Sequence, residues 1–255
     1  MNAKMRINRY LASAGCGSRR KCEDLIRQGR VAVNGETLTK LAAVVDPEID
    51  SVTLEGHRVA RCVETRVLVL NKPAGVLSTV SDSFKRRTVI DVAREQGIKQ
   101  RLFPVGRLDF DTSGILILTN DGDFAFRLTH PRFKIEKTYR VTVEGKVAEE
   151  TVSRIAGGVD LGAYTTSPCS VAILECGSGT TTLEVRLMEG RKRQIKRMFA
   201  RFGHRTIELA RTAIGDLTFD DVEPGAIRAL TAFEERRLRE LAGLVREGED
   251  TTTWR

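Results

Sequence analysis

Gly106-Arg107-Leu108-Asp109-Phe110-Asp111-Thr112-Ser113-Gly114, followed by Ile115-Leu116-Ile117-Leu118-Thr119-Asn120-Asp121-Gly122-Asp123, is the stretch whose reading decides the rest. Ile115 to Leu118 is a short continuous apolar run bounded by Gly114 and by Asn120-Asp121-Gly122, the pattern of a buried strand. The residues before it form the loop that enters this strand and carry an arginine, two carboxylates, two hydroxyl residues and two glycines. A polar loop set against a buried strand is a common place for a site. The bland reading is an Asp-rich turn with Arg107 paired locally. Metal binding is disfavoured, because Asp109, Asp111, Asp121 and Asp123 lack the stepped spacing of a calcium loop and no long-reach glutamate closes the set.

Outward from this loop, composition narrows the choice. The chain has 255 residues, 41% of them hydrophobic, enough for one large domain or a large and a small one. A net charge of +8 and a pI near 9.5 point to a polyanionic partner, usually nucleic acid. Aromatics are only 5%, which argues against sequence-tolerant stacking of many bases. Cys16, Cys22, Cys62, Cys169 and Cys176 are scattered, odd in number and without a C-x-x-C pair, so zinc and a disulfide framework are disfavoured and a reducing cytoplasm is expected. No signal-peptide core and no run long enough to span a bilayer is present, so a membrane partner is not expected.

The first thirty residues are basic, with Lys4, Arg6, Arg9, Arg19, Arg20, Lys21, Arg27 and Arg30 against Glu23 and Asp24. Ile7, Tyr10, Leu11 and Ala14 recur at helical spacing, and Gly15 stops that helix. Ser18 caps a second helix with Cys22, Leu25 and Ile26 as its apolar stripe, and Gly29 ends it. Val31 to Val33 before Asn34-Gly35 reads as a strand entering a hairpin, and Val52 and Leu54 supply another strand. Arg19-Arg20-Lys21 occupies the first turn of the second helix, the end at which the dipole disfavours cations, so an anion outside is expected. The alternative is a solvated basic face. Residues 56–65 are polar and without a helical stripe. The limits that follow are a first domain at 1–60, a linker at 61–65, a second domain at 66–246 and a polar, disordered tail at 247–255.

In the second domain, Arg66 to Leu70 opens a strand and Asn71-Lys72-Pro73-Ala74-Gly75 turns the chain. Thr88 caps a helix to Gln96, and Asp121 or Asp123 caps one through Leu128. Glu136 to Val143 alternates, with Tyr139, Val141 and Val143 on one face. Ala148 to Ala156 is a helix closed by Gly157-Gly158. Strands follow at Ser170 to Leu174, Thr181 to Leu187 and Thr206 to Leu209. A last helix spans Thr231 to Val245 with Phe233, Leu238 and Leu241 inward. Ile195, Met198, Phe199 and Phe202 make a core stripe, with Arg193, Lys196 and Arg197 on the other half of the same helix. A wet basic face explains that periodicity but not Arg191, Lys192, Arg193, Lys196, Arg197 and Arg201 together with no acid among them. The whole is an α+β chain whose larger sheet is mixed and largely antiparallel.

No histidine stands in a triad-like context, and no G-x-S-x-G, H-E-x-x-H, Walker or dinucleotide motif occurs. Chemistry must then run on carboxylate, cation and phenol with no cofactor and no metal. That suits a glycosidic carbon, where an ionised carboxylate can stabilise or attack developing positive charge.

Two resemblances sharpen this. Arg6-Ile7-Asn8-Arg9-Tyr10-Leu11, Gly17-Ser18-Arg19-Arg20 and Gly29-Arg30-Val31-Ala32-Val33-Asn34-Gly35 resemble the RNA-binding domain first recognised in ribosomal protein S4. Gly106-Arg107-Leu108-Asp109, Thr112-Ser113-Gly114-Ile115-Leu116 and Thr119-Asn120-Asp121-Gly122 resemble the signature of the pseudouridine synthases, in the RsuA/RluB family. Asn71-Lys72-Pro73-Ala74-Gly75, Glu136-Lys137-Thr138-Tyr139-Arg140-Val141 and the segment Glu189 to Met198 match further motifs in the right order, over about residues 66 to 230. The resemblance implies isomerisation of a specific uridine to pseudouridine in ribosomal RNA, by detaching uracil from its ribose, turning it and rejoining it through a carbon–carbon bond. It implies that Asp109 acts at the ribose as nucleophile or as base, that Tyr139 packs on the uracil and helps proton removal, that Lys196 pairs with the aspartate, and that Arg107 takes the place of the flipped base. RNA contacts are expected from Arg107, Arg6, Arg9, Arg19, Arg20, Lys21, Arg191, Arg193 and Arg197. The overall pattern leans to 23S over 16S rRNA, free or in a pre-ribosomal particle, and to a monomer. A non-catalytic RNA-binding or ribosome-assembly protein is the competing reading; it has little need of Asp109, Tyr139 and Lys196 together.

Overall fold

The computed structural model describes residues 4–60 and 65–245. Cys62, most of the expected linker and the expected tail at 247–255 lie outside the described residues. The chain divides into two compact units, Met1–Thr65 and Arg66–Arg255.

The first unit runs β1 (Met5–Arg6), α1 (Ile7–Ser13), α2 (Arg19–Arg27), β2 (Val31–Val33), β3 (Glu36–Leu38), β4 (Val44–Val45), β5 (Val52–Leu54) and β6 (His57–Arg58). Local chemistry sets its corners. Ser18 Oγ accepts a hydrogen bond from Lys21 N at 3.1 Å, capping α2. Asn34 and Gly35 both take positive φ, 52° and 87°, the turn that suits a two-residue hairpin between β2 and β3. Cys22, Leu25 and Ile26 pack with Ile7, Tyr10 and Leu11 into one buried cluster. The stretch after Gly56 is not all linker, because β6 pairs with β5 and Tyr10 Oη donates to Val59 O at 2.9 Å. An edge strand with both side chains exposed reads as polar sequence and hides its pairing.

The second unit holds β7 (Val67–Lys72), α3 (Val89–Glu95), β8 (Phe103–Pro104), β9 (Ser113–Thr119), α4 (Gly122–Thr129), β10 (Lys137–Glu144), α5 (Glu149–Gly157), β11 (Ser170–Cys176), β12 (Thr180–Leu187), α6 (Gln194–Ala200), β13 (Thr206–Ile214), β14 (Leu217–Thr218), β15 (Ile227–Ala229) and α7 (Ala232–Leu241). Its sheet has the order β11-β12-β10-β13-β9-β7-β15, with β14 on β13 and β8 on β9. The β13–β9 pairing is parallel and the other pairings of this sheet are antiparallel, so the sheet is mixed and largely antiparallel.

The apolar run of β9 is continuous because both its faces are covered. Ile115 and Ile117 join a cluster with Phe124 of α4 and Leu238 of α7, while Leu116 and Leu118 join Val89, Val92 and Ala93 of α3. Helix starts follow local capping: Thr88 and Asp91 form a capping box at α3, and Asp121, not Asp123, caps α4. Two expectations are corrected. Arg193 precedes α6 with φ of 53° and is not on the helix. Phe233 is 71% exposed. The inward position beside it is taken by Glu234, which accepts from the Arg228 guanidinium at 2.7 and 2.8 Å and from Thr231 N at 2.7 Å. A glutamate satisfied this way can be buried where its sequence position suggests solvent.

Candidate active site

The loop carrying Asp109 is fixed at several points. Leu108 N donates to Ser78 Oγ at 3.1 Å, and that hydroxyl donates back to Leu108 O at 2.9 Å. Thr112 N donates to Asp109 O at 3.1 Å, closing a tight turn, and Gly75 N donates to Phe110 O at 2.7 Å. The loop then enters β9 at the parallel seam, where Ser113 and Gly114 lie opposite Ala210 and Arg211 of β13. Only glycine fits at 114, since a Cβ there would overlap the backbone of Arg211. Tyr139 reaches the same region from β10, in register with Arg211 of β13 and Val185 of β12.

A cleft of about 290 Å³ lies over this loop. Arg107, Asp109, Thr112 and Tyr139 line it together with residues 189–195. Gln194, buried, holds that last segment in place: its Nε2 donates to Glu189 Oε1 at 2.6 Å and its Oε1 accepts from Arg191 N at 3.1 Å. Glu189 Oε1 also accepts from Ser167 N at 3.0 Å. Asp109 is half-buried and Arg107 is exposed. The expected neighbours Asp109, Tyr139, Arg107, Arg191 and Arg193 are thus brought to one cleft.

Lys196 is not bonded to Asp109. Its ammonium sits 2.6 Å from Asp111 Oδ1. The turn from 109 to 112 sends Asp109 to the cleft lining and leaves Asp111 outside it, where the lysine of α6 meets it. Asp111 is held below the usual carboxylate value by the hydrogen bond from Lys196, and burial opposes this. Another ammonium lies closer to the root of the loop. Lys72, fully buried at the end of β7, donates to Thr112 O at 2.8 Å and Pro73 O at 2.9 Å. Burial pushes Lys72 down to about 8, opposed by the charges of Asp111 and Asp109. Neither Lys72 nor Asp111 is given a chemical role by the sequence motifs. The signal for Lys72 was its phase, two residues after Leu70 on a buried strand. No local signal separates Asp111 from Asp109 as the partner of a lysine 85 positions later.

The other cations divide. The Arg191 guanidinium lies 4.0 Å from the Tyr164 ring centre and 3.6 Å from Glu189, and Arg197 donates to Leu161 O at 2.8 Å beside the same ring. Lys192 and Arg193 are exposed and form no ion pair among the described residues. In the first unit Arg6, Arg9, Arg19, Arg20 and Lys21 are all exposed. Burial and then Glu189 push the Cys169 thiol up to about 11, which disfavours its thiolate form.

The cleft thus joins a carboxylate and a phenol beside the parallel seam of a mixed sheet, and the chain carries a separate basic unit. The profile of RNA pseudouridylate synthase matches residues 66–201, and that of the S4 domain matches residues 5–48. An uncharacterised RNA pseudouridine synthase of Aquifex aeolicus (strain VF5) is 41% identical over 94% of this chain and 96% of its own length. Ribosomal large subunit pseudouridine synthase B of Bacillus subtilis (strain 168) is 39% identical over 93% of this chain and 96% of its own. A crystal structure of a pseudouridylate synthase superposes with a TM-score of 0.65 at 31% identity, covering 92% of this chain and 99% of that one. The chain belongs to the RNA pseudouridine synthase family and carries an S4 domain in front of the synthase domain. It is an isomerase acting on RNA, not a passive binder. No helix among the described residues is long and apolar enough to cross a membrane.

Proposed function

We propose that the protein converts one uridine of 23S ribosomal RNA to pseudouridine in the cytoplasm, on the free RNA or on a pre-ribosomal particle. The choice of 23S is supported by the large-subunit name of the Bacillus subtilis relative, which matches along nearly the whole chain. The observation that carries the chemistry is the meeting of Asp109 and Tyr139 in one cleft with Arg107 at its lining.

The target nucleotide leaves its stack at a cost of a few kcal/mol, and Arg107 occupies the gap. Asp109 acts at the ribose, as nucleophile on C1′ or as base, while the C1′–N1 bond breaks, and any bond it forms to C1′ is released when C5 takes its place. Uracil turns against the Tyr139 ring, C1′ bonds to C5, C5 gives up its proton and N1 ends with one. Atoms and electrons balance without an outside reagent. Positive charge is at hand from Lys72, while Lys196 acts one acid further on and fixes the turn through Asp111. Lys192 and Arg193 extend the cleft toward phosphate.

The test is Asp109→Asn. Pseudouridine formation on 23S rRNA should fall below detection, while RNA affinity stays within a few-fold. Turnover at the parental rate would remove Asp109 from its role, and modification of 16S rRNA alone would remove the choice of substrate.

A further inference from the structure

Residues 79–87, between the turn after β7 and α3, hold an aromatic ring out to solvent on a built support. Phe84 is 78% exposed. Its loop is organised by Asp82, whose carboxylate accepts from Phe84 N at 3.0 Å, from Arg86 N at 3.2 Å and from the Arg86 guanidinium at 3.1 and 2.7 Å. The guanidinium lies 5.3 Å from the centre of the Phe84 ring. Lys85 between them takes a φ of 57°, which turns the chain at the ring. At the base of the loop, Leu77 N donates to Arg87 O at 3.0 Å and Val89 N donates to Leu77 O at 2.9 Å. A large apolar side chain held in water by its own ordered loop is available for contact with a ligand.

The loop is tied to the chemistry. Ser78, the residue just before it, is the one that clamps Leu108 beside Asp109. Phe84 stands six positions after Ser78, so its backbone stays within about 20 Å of that clamp, the reach of nucleotides near the target. Lys85, Arg86 and Arg87 stand against Asp82 and Glu95, three positive charges against two negative, and Lys85 forms no ion pair among the described residues. The loop from 79 to 87 is mostly polar and charged, with Val80 its other exposed apolar residue, so it lacks the broad apolar core of a protein interface. A flat apolar face with a phosphate beside it fits this surface.

We propose that Phe84 is an RNA-stacking residue, which takes the face of an unstacked base neighbouring the target uridine while Lys85 meets the adjoining phosphate. The inference rests on RNA being the substrate of the Asp109 site. Removing the target base from its stack leaves its neighbours without a partner, and one fixed ring stands in for the missing base.

Steady-state kinetics on an rRNA stem-loop test it. Phe84→Ala should raise KM about tenfold, the low end of what loss of one base–aromatic stack gives, with kcat within about twofold. Phe84→Tyr should restore KM. In a Trp254→Phe background, Phe84→Trp places the sole indole on the loop, and RNA should quench its emission, with or without Asp109→Asn. An unchanged KM in Phe84→Ala, or emission indifferent to saturating RNA, overturns the proposal. Failure of the parental chain to form pseudouridine would overturn the Asp109 reading instead, and quenching would still report on Phe84.

Discussion

Two basic stretches look alike in this sequence and are used differently. Arg19-Arg20-Lys21 and the run from Arg191 to Arg197 are both dense in cations and both stand at the start of a helix. At α2 the three side chains are exposed, the first turn holds no acid, and none of the three forms an ion pair among the described residues. At α6 three of the five cations of the run are engaged by the protein's own groups. Arg191 and Arg197 flank Tyr164, Lys196 holds Asp111, and Lys192 and Arg193 remain for an outside partner. Charge density alone therefore overstates the uncommitted positive surface at α6 and describes that at α2 fairly. The difference is set by groups distant in sequence, such as Leu161, Tyr164 and Asp111.

The largest effect expected from this contrast is on the salt dependence of binding. Replacing Arg19, Arg20 and Lys21 together by alanine should flatten the slope of log K against log salt by about 2 to 3, at about 0.7–0.9 for each phosphate no longer neutralised. Filter binding with an rRNA fragment across a salt series measures it, and the thermal midpoint should hardly move because the residues are exposed. Arg197→Ala should do the reverse. Removing the hydrogen bond to Leu161 O and the cation over the Tyr164 ring is expected to cost about 1 kcal/mol, or about 2–4 °C in midpoint for a unit of this size, with the salt slope unchanged. If the triple variant lost stability and kept its slope while Arg197→Ala lost slope, the assignment of the two stretches would have to be exchanged.

How far such differences can be read in advance depends on whether the cause is local. Capping is local, so Ser18 and Thr88 were legible, and Asp121 was one of two candidates. The buried strand at Ile115 to Leu118 was legible because covering both faces leaves an unbroken apolar run. Edge strand β6 was not, since nothing apolar marks it, and the inward face of α7 was misread at Phe233 because Arg228 makes Glu234 an acceptable core residue. The same holds at the site. Asp109 and Tyr139 were named from their motifs and share the cleft. The acid that Lys196 meets depends on how a four-residue turn presents two carboxylates, and sequence does not carry that. The Phe84 loop shows neither period nor motif; its order comes from one carboxylate collecting four donors.

A third treatment of positive charge gives the most specific test of the contrast. Lys137, at the start of β10, has its ammonium on Ile135 O at 2.6 Å and forms no ion pair among the described residues, with buried Arg211 acting on its charge. Burial, and then the Arg211 charge, push it down to about 8. That lies below the ordinary lysine value of 10.5, so between these two pH values the unfolded chain holds more protons than the folded one. Stability contributed by this group therefore rises from pH 8 toward 10.5 and is lost as pH falls through 8. Lys137→Met removes the titration while keeping a long apolar stem. Scanning calorimetry at pH 7.5 and 10 should show the parental midpoint gaining on that of the variant by a few degrees, at about 2–4 °C per kcal/mol. The same substitution at exposed Lys21 should leave the gap between the two pH values as it is. Parallel shifts for Lys137→Met and its parent would mean that this ammonium reaches water, and that the sheet near the seam treats its cations no differently from the surface of α2.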